Sequence, residues 1–149
     1  MTSPIHATCV ARYRPEGWRA VLLTGPSGAG KSDLALRLIG QGWRLVADDY
    51  CDVWASGGAL WARAPDRIAG RIEVRGVGIL PQPQAPLARV ALIVRCGQET
   101  VERLPLPETE TLYGISLPVL ALDTRPASAS NLVEVALTAT LAGLDVAPL

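Results

Sequence analysis

Lysine is almost absent from this chain of 149 residues: of its 14 lysines and arginines, only Lys31 is a lysine. Histidine is as scarce, with His6 alone. No sign of charge dominates, because 14 cations balance 14 acids. That balance gives no support to a nucleic-acid-binding or membrane-binding surface. There is no acidic tail, and no apolar run reaches the roughly 20 residues a membrane span needs. The opening residues, MTSPIHATCVARYR, lack the basic segment and apolar core of a secretory signal. Cys9, Cys51 and Cys96 are odd in number and far apart, and form neither a C-x-x-C pair nor a zinc spacing. They read as reduced thiols, and the cytoplasm is the expected compartment.

What is present is a globular composition. Apolar residues make up 49% of the chain and charged residues 19%, too apolar for disorder. The length fits one domain over residues 1–149, with no repeat and no linker.

The chain is organised around residues 25–49, GPSGAGKSDLALRLIGQGWRLVADD. Gly25, four residues, then Gly30, Lys31 and Ser32 match the phosphate-loop pattern G-x-x-x-x-G-K-[ST]. Residues 19–24 hold the apolar run Ala20-Val21-Leu22-Leu23 and predict a buried strand. Residues 33–39 predict a helix with Leu34, Leu38 and Ile39 on one face. Gly25, Gly28 and Gly30 let the backbone turn its N–H groups toward phosphate oxygens. The helix N-terminus adds free donors and its positive dipole end. Lys31 supplies a cation for the outer phosphates, and the Ser32 hydroxyl can ligate Mg²⁺. The alternative is a glycine-rich turn without a ligand.

Upstream, residues 5–13 alternate like a strand, and Arg14-Pro15-Glu16-Gly17 turns the chain into the phosphate-loop strand. His6 therefore sits on a strand hairpinned to that one, as a structural, surface or catalytic histidine. Downstream, Gly40 and Gly42 stop the helix and residues 43–47 form a short strand ending in Asp48 and Asp49. The strand–helix–strand unit predicts two parallel strands, which puts both carboxylates on the sheet edge where ligands bind. One carboxylate can hold a metal or its water shell and the other can act as a base; otherwise they are a solvated pair opening a turn.

Residues 52–63 predict a hairpin turning at Ser56-Gly57-Gly58, with Trp54 and Trp61 as packing residues. Residues 64–66 start a short helical segment. In residues 69–80, Glu73 and Arg75 share one side of an extended segment, as an exposed ion pair or as a site. Residues 81–86 resist regular structure, 87–96 predict a buried strand, and 97–110 read as polar. Residues 112–122 include another strand. Residues 131–144 predict a closing helix, with Asn131 and Glu134 as a capping box and Leu132, Val135, Ala139 and Ala142 as its buried face. A mixed sheet is expected.

Three blocks together resemble the catalytic domain of the HPr kinase/phosphorylase family. They are residues 25–49 with the acidic pair directly after the loop helix, AGRIEVRGVGI at 69–79, and Glu102-Arg103-Leu104 followed by Gly114-Ile115-Ser116-Leu117-Pro118-Val119. Ile5-His6-Ala7 sits where that family carries a histidine. The resemblance implies an α/β fold: a P-loop NTPase-like mixed sheet with a βαβ phosphate-loop unit, of the HPr kinase/PEP carboxykinase-like kind. It implies ATP binding by Gly25, Pro26, Ser27, Gly28, Ala29, Gly30, Lys31 and Ser32, with Lys31 contacting the transferring group. Ser32 and Glu73 would ligate Mg²⁺, with Asp48 supporting through the metal. Asp49 would accept the substrate proton and return it in the reverse reaction. His6 and Arg103 match active-site positions, and Arg75 with Gly76 lies in the signature segment.

The implied reaction is phosphorylation of a serine on HPr, the small phosphocarrier of the sugar phosphotransferase system, with removal by phosphorolysis. Homo-oligomers, hexameric in the family, are implied as well. The chain departs from that pattern at several points. It reads as a short form without the family's N-terminal domain. Its segment from Ile79 to Arg103 is shorter, and residues 120–126 replace a P-G-R-N stretch linked to dephosphorylation. The last helix is curtailed at residues 144–149. Two rivals stay open. One is a small-molecule kinase or nucleoside triphosphatase. The other is a regulatory module that binds nucleotide without transfer, against which the set Asp48, Asp49 and Glu73 argues.

Overall fold

In a computed structural model of the chain, residues 3–144 are described. Residues 145–149, where the curtailed helix was expected, lie outside them. Period-2 alternation sets the central strands. In β2 (Thr8–Arg14), Cys9 and Ala11 face one buried cluster and Val10 the other. In β3 (Gly17–Thr24), Ala20 and Leu22 face the first, Val21 and Leu23 the second. The two pair antiparallel from Thr8↔Leu23 to Arg14↔Gly17, as the turn predicts.

The expected first strand over residues 5–13 is in fact two. β1 (Ser3–His6) pairs antiparallel with β5 (Tyr50–Ser56), whereas β2 runs between β3 and β4 (Arg44–Ala47). The chain changes partner at Ala7, which is fully buried and donates its N–H to the Asp49 carbonyl at 3.1 Å. Since β2 is antiparallel to both β3 and β4, those two run parallel, as predicted, but they are not neighbours.

With β6 (Ala59–Arg63) and β9 (Ala88–Arg95), the strand order is β1-β5-β6-β9-β3-β2-β4. β9 lies parallel to β3. Its other edge pairs antiparallel with β6 at one end and parallel with β11 (Ile115–Ala121) at the other. A register shift between Ala20 and Val21 re-phases β9, so Ala88 and Val90 face the first cluster while Leu92 and Val94 face the second. β5 and β6 form the predicted hairpin. β10 (Glu108–Leu112), which the sequence reads as part of a polar stretch, pairs antiparallel with β11. Its Glu108 and Glu110 both bind Arg95 of β9, so polar side chains fasten this strand.

The second cluster is covered by helices. α1 (Lys31–Ile39) contributes Leu34, Ala35 and Leu38, and α2 (Ala129–Leu141) contributes Ala129, Val133, Ala136 and Leu137. Each leucine buried here stabilises the fold by about 1.5–3 kcal/mol. No residue of either helix belongs to the first cluster, which the sheet closes with its own strands. α2 corrects the expected register. It starts two residues early, at Ala129, and its N-cap is Ser128 without a side-chain cap bond. Leu132 and Val135 are 50% and 65% exposed. Glu134 caps nothing; it pairs with Arg12 Nε at 2.9 Å, which sets the helix rotation.

After a 3₁₀ turn (Asp66–Ile68), β7 (Arg71–Val74) and β8 (Gly78–Pro81) form a separate hairpin. Ile72 anchors it in the helix-side cluster. The proline-rich segment then covers the edge of β4: Leu45 N–H donates to the Pro83 carbonyl at 2.8 Å and Ala85 N–H to that of Leu45 at 2.9 Å. Among the described residues no helix is long and apolar enough to cross a membrane. Cys9, Cys51 and Cys96 are buried free thiols.

Candidate active site

The loop between β3 and α1 needs glycine at two tight points. Gly25 has φ 134°, and a Cβ there would lie 2.8 Å from the Cys96 carbonyl oxygen. Gly30 has φ 89°, and its Cβ would lie 2.6 Å from Thr124 Oγ1. That hydroxyl donates to the Ala29 carbonyl at 2.7 Å, while Arg37 of α1 donates to the Thr124 carbonyl at 2.6 Å. The loop is thus wedged between the ends of β9 and β11. Lys31 is buried, and its Nζ donates to the Gly25 and Pro26 carbonyls at 2.8 and 3.0 Å. Two of its three N–H bonds hold the loop closed on itself.

Asp48 follows β4 and is only 7% exposed. Its Oδ1 accepts from Ser32 Oγ at 2.6 Å and from Thr8 Oγ1 at 3.0 Å, and its Oδ2 accepts from the Glu73 N–H at 3.1 Å. One buried carboxylate therefore joins α1, β2 and the β7–β8 hairpin through charge-assisted bonds. Asp49, its neighbour, points the other way. Its side chain is 65% exposed, with Oδ1 3.1 Å from His6 Nε2. Asp49 has φ 69°, and Tyr50 N–H donates across it to the Asp48 carbonyl at 2.8 Å. This is a γ-turn-like conformation rare for a residue with a Cβ. The Ala7 N–H on the Asp49 carbonyl and the pairing of His6 with Tyr50 hold it there.

These groups line a cavity of about 470 Å³. Its wall includes Gly28, Gly30, Lys31 and Ser32 from the loop, with His6, Asp49, Glu73 and Arg75 around it. Six of the residues expected from the sequence to act here, His6, Lys31, Ser32, Asp49, Glu73 and Arg75, are thus brought together. Asp48 stands behind the wall. Gly76, in the β7–β8 turn with φ 86°, is not among the lining residues, and neither is Arg103, which is exposed in the loop between β9 and β10. Two contributors were not singled out in the sequence: Thr8, read only as one position of a strand, and the Glu73 backbone N–H. Alternation from His6 is the sole sequence signal for Thr8, and the break at Ala7 hides it.

Among the described residues, no three His, Cys, Asp or Glu side chains converge at metal-ligating spacing. Mg²⁺, however, takes few protein ligands and favours oxygen. Ser32 commits its hydrogen to Asp48, leaving oxygen lone pairs, and Glu73 supplies a carboxylate on the same wall. That donor set fits Mg²⁺. On the far side of the loop, Cys96 is buried, which pushes its thiol up to about 12 against the pull of Lys31 and Arg37. Asp123 is held below the ordinary carboxyl range by hydrogen bonds from Arg125.

The profile of the "HPr Serine kinase C-terminal domain" family matches residues 5–85. An "HPr kinase/phosphorylase" from Burkholderia cenocepacia is 36% identical over 142 residues, covering 84% of this chain and 44% of the relative. One from Clostridium botulinum is 47% identical over 64 residues, covering 43% of this chain and 21% of the relative. The chain thus spans less than half the length of these relatives. The solved "Hpr(Ser) kinase/phosphatase from Coxiella burnetii" superposes with a TM-score of 0.74 at 26% identity, covering 89% of this chain and 92% of that one. With more than half its length matched to the family profile, and with this fold, the chain belongs to the HPr serine kinase C-terminal domain family.

Proposed function

We propose that this chain is an ATP-dependent serine protein kinase acting on an HPr-like phosphocarrier in the cytoplasm, and that the same site removes the phosphate by phosphorolysis. The observation that carries this reading is the contrast between the two adjacent aspartates at the mouth of the phosphate loop. Asp48 is buried and accepts three hydrogen bonds, so it orients Ser32; Asp49 is open to the cavity opposite His6. The relatives named HPr kinase/phosphorylase support the choice of acceptor.

In the forward direction Asp49 takes the proton of the substrate serine as its oxygen bonds to the γ-phosphorus, and the bond to the β–γ bridging oxygen breaks to release ADP. In reverse, inorganic phosphate attacks the phosphoserine phosphorus and Asp49 returns the proton to the serine oxygen, giving pyrophosphate. The residues at 25–32 hold the phosphates, with Lys31 at the transferring group. Ser32 and Glu73 would hold Mg²⁺, which supplies charge neutralisation when bound. Arg75 is the remaining cation on the cavity wall, suited to the acceptor side. Catalysis is mainly positioning and electrostatics. Assembly as a homo-oligomer, hexameric in the family, belongs to the same proposal.

The test mixes the protein with Mg²⁺, γ-labelled ATP and an HPr-family protein from the same organism, beside its Ser→Ala form. Label on the serine form alone, released as pyrophosphate on adding phosphate, is the expected result. Binding of ATP with no label transferred would contradict the kinase reading and favour a regulatory nucleotide-binding module.

A further inference from the structure

Three consecutive residues hold the three polar groups of Asp49. His6 Nε2 lies 3.1 Å from its carboxylate Oδ1. The Ala7 N–H donates to its carbonyl at 3.1 Å. Its own N–H donates to Thr8 Oγ1 at 3.4 Å. Residues 6–8 span the break between β1 and β2, so the point where the chain changes partner is also the point that grips Asp49.

Thr8 lies in the cavity wall but is fully buried, so it acts through its neighbours. A hydroxyl has one hydrogen and two lone pairs. A backbone N–H can only donate, so the Thr8 oxygen accepts from Asp49 and its hydrogen is left for Asp48 Oδ1, at 3.0 Å. The direction of both bonds is thereby fixed. One buried hydroxyl braces the backbone of the open aspartate against the carboxylate of the buried one. Asp49 needs such a brace. Its φ of 69° is one that residues with a Cβ rarely adopt. Its carboxylate reaches into the cavity, and among the described residues only His6 bonds it. The direction in which that carboxylate points is therefore set largely by its backbone.

We propose that Thr8 is a positioning residue for serine transfer, its hydroxyl holding the Asp49 backbone so that the carboxylate faces the acceptor. The assignment rests on the kinase reading above and deepens it. A threonine that only filled the core would do so with its methyl group and would not need its hydroxyl. Thr8→Val keeps the shape and removes the hydroxyl, and Thr8→Ser keeps the hydroxyl and removes the methyl.

The test compares wild type with both variants in three measurements: label transfer to the HPr-family acceptor, calorimetric titration with ATP, and amide hydrogen exchange by NMR. Thr8→Val is expected to lower the turnover number about 10²-fold, as a misplaced catalytic group does. ATP affinity should stay within about twofold, since the phosphate contacts are untouched. The Asp49 amide should exchange about fivefold faster, the effect of one lost hydrogen bond, while amides of β3 and α1 keep their wild-type rates. Thr8→Ser should restore both turnover and protection. If the valine variant does not fold, Thr8→Ala against Thr8→Ser carries the same comparison. Unchanged turnover, ATP affinity falling in parallel, an Asp49 amide that exchanges as in wild type, or failure of serine to rescue overturns the role. If wild type itself transfers no label, the kinase reading fails, and the exchange rates still decide whether Thr8 holds the Asp49 backbone.

Discussion

Asp48 and Thr8, on the β4 side of the phosphate loop, are out of water and bonded to each other, and Asp48 is also bonded to Ser32. Asp123 and Arg125, on the β11 side, are bonded to each other, with the Arg125 side chain 67% exposed and that of Asp123 26%. One rim is a stiff polar core with an open carboxylate, Asp49, projecting from it. The other is an ion pair on a turn tied down through Thr124. The contrast suits the buried rim to chemistry. Chemistry needs groups fixed before the reaction, because reorganising them at the barrier is what slows it.

Lys31→Ala should do the most damage, since Lys31 bridges the loop between the rims. Transfer is expected to fall by about 10²–10³-fold with ATP affinity falling alongside; unchanged turnover in the labelled-ATP assay would sink the phosphate-loop assignment. Asp48→Ala separates the rims by stability. It strands the buried Thr8 hydroxyl and leaves Ser32 and the Glu73 N–H without their partner, and urea unfolding should report a loss of about 2–3 kcal/mol. Asp123→Ala on the open rim should leave the unfolding midpoint unchanged. Equal loss in both variants would erase the distinction.

The last effect is absent at neutral pH and appears only in alkali. Burial lifts the Cys96 thiol from its ordinary 9.0 to about 12, and Cys9 is lifted in the same direction. The unfolded chain therefore gives up these protons first, and the folded chain keeps them. Stability is full below about pH 9 and falls as pH rises toward 12, by at most about 1.4 kcal/mol per pH unit for each thiol. Cys96→Ala should flatten that fall in denaturant titrations across this window; an unaltered slope would show that the thiol is not held in its protonated form.

Much of the first rim was legible because its signals are local. Glycine spacing, the loop helix and the adjacent aspartates all lie within residues 25–49, and Glu73 with Arg75 came from a short block. The insertion of β2 between β3 and β4 was not legible, since a hydrophobic run does not name its neighbour. β10 was missed because it is held by Glu108 and Glu110 on Arg95, where a polar stretch looks like a loop. In α2, the set Leu132, Val135 and Ala139 has helical spacing as good as that of Val133, Ala136 and Leu137. Contacts made by residues about ninety to more than a hundred positions away, Arg12 on Glu134, Arg14 on Thr138 and Gln41 on Ser130, select between them. Thr124 carried no signal at all, because its role depends on the close approach of Gly30.

The most direct test of the division of labour between Asp48 and Asp49 is to measure serine transfer and ATP binding on one preparation of Asp49→Asn. The open carboxylate should be needed for the proton alone. Transfer is therefore expected to fall by about 10²–10⁴-fold while ATP affinity and the unfolding midpoint stay near those of the wild type. Parallel loss of transfer and ATP binding, or transfer that survives the substitution, would contradict Asp49 as the base.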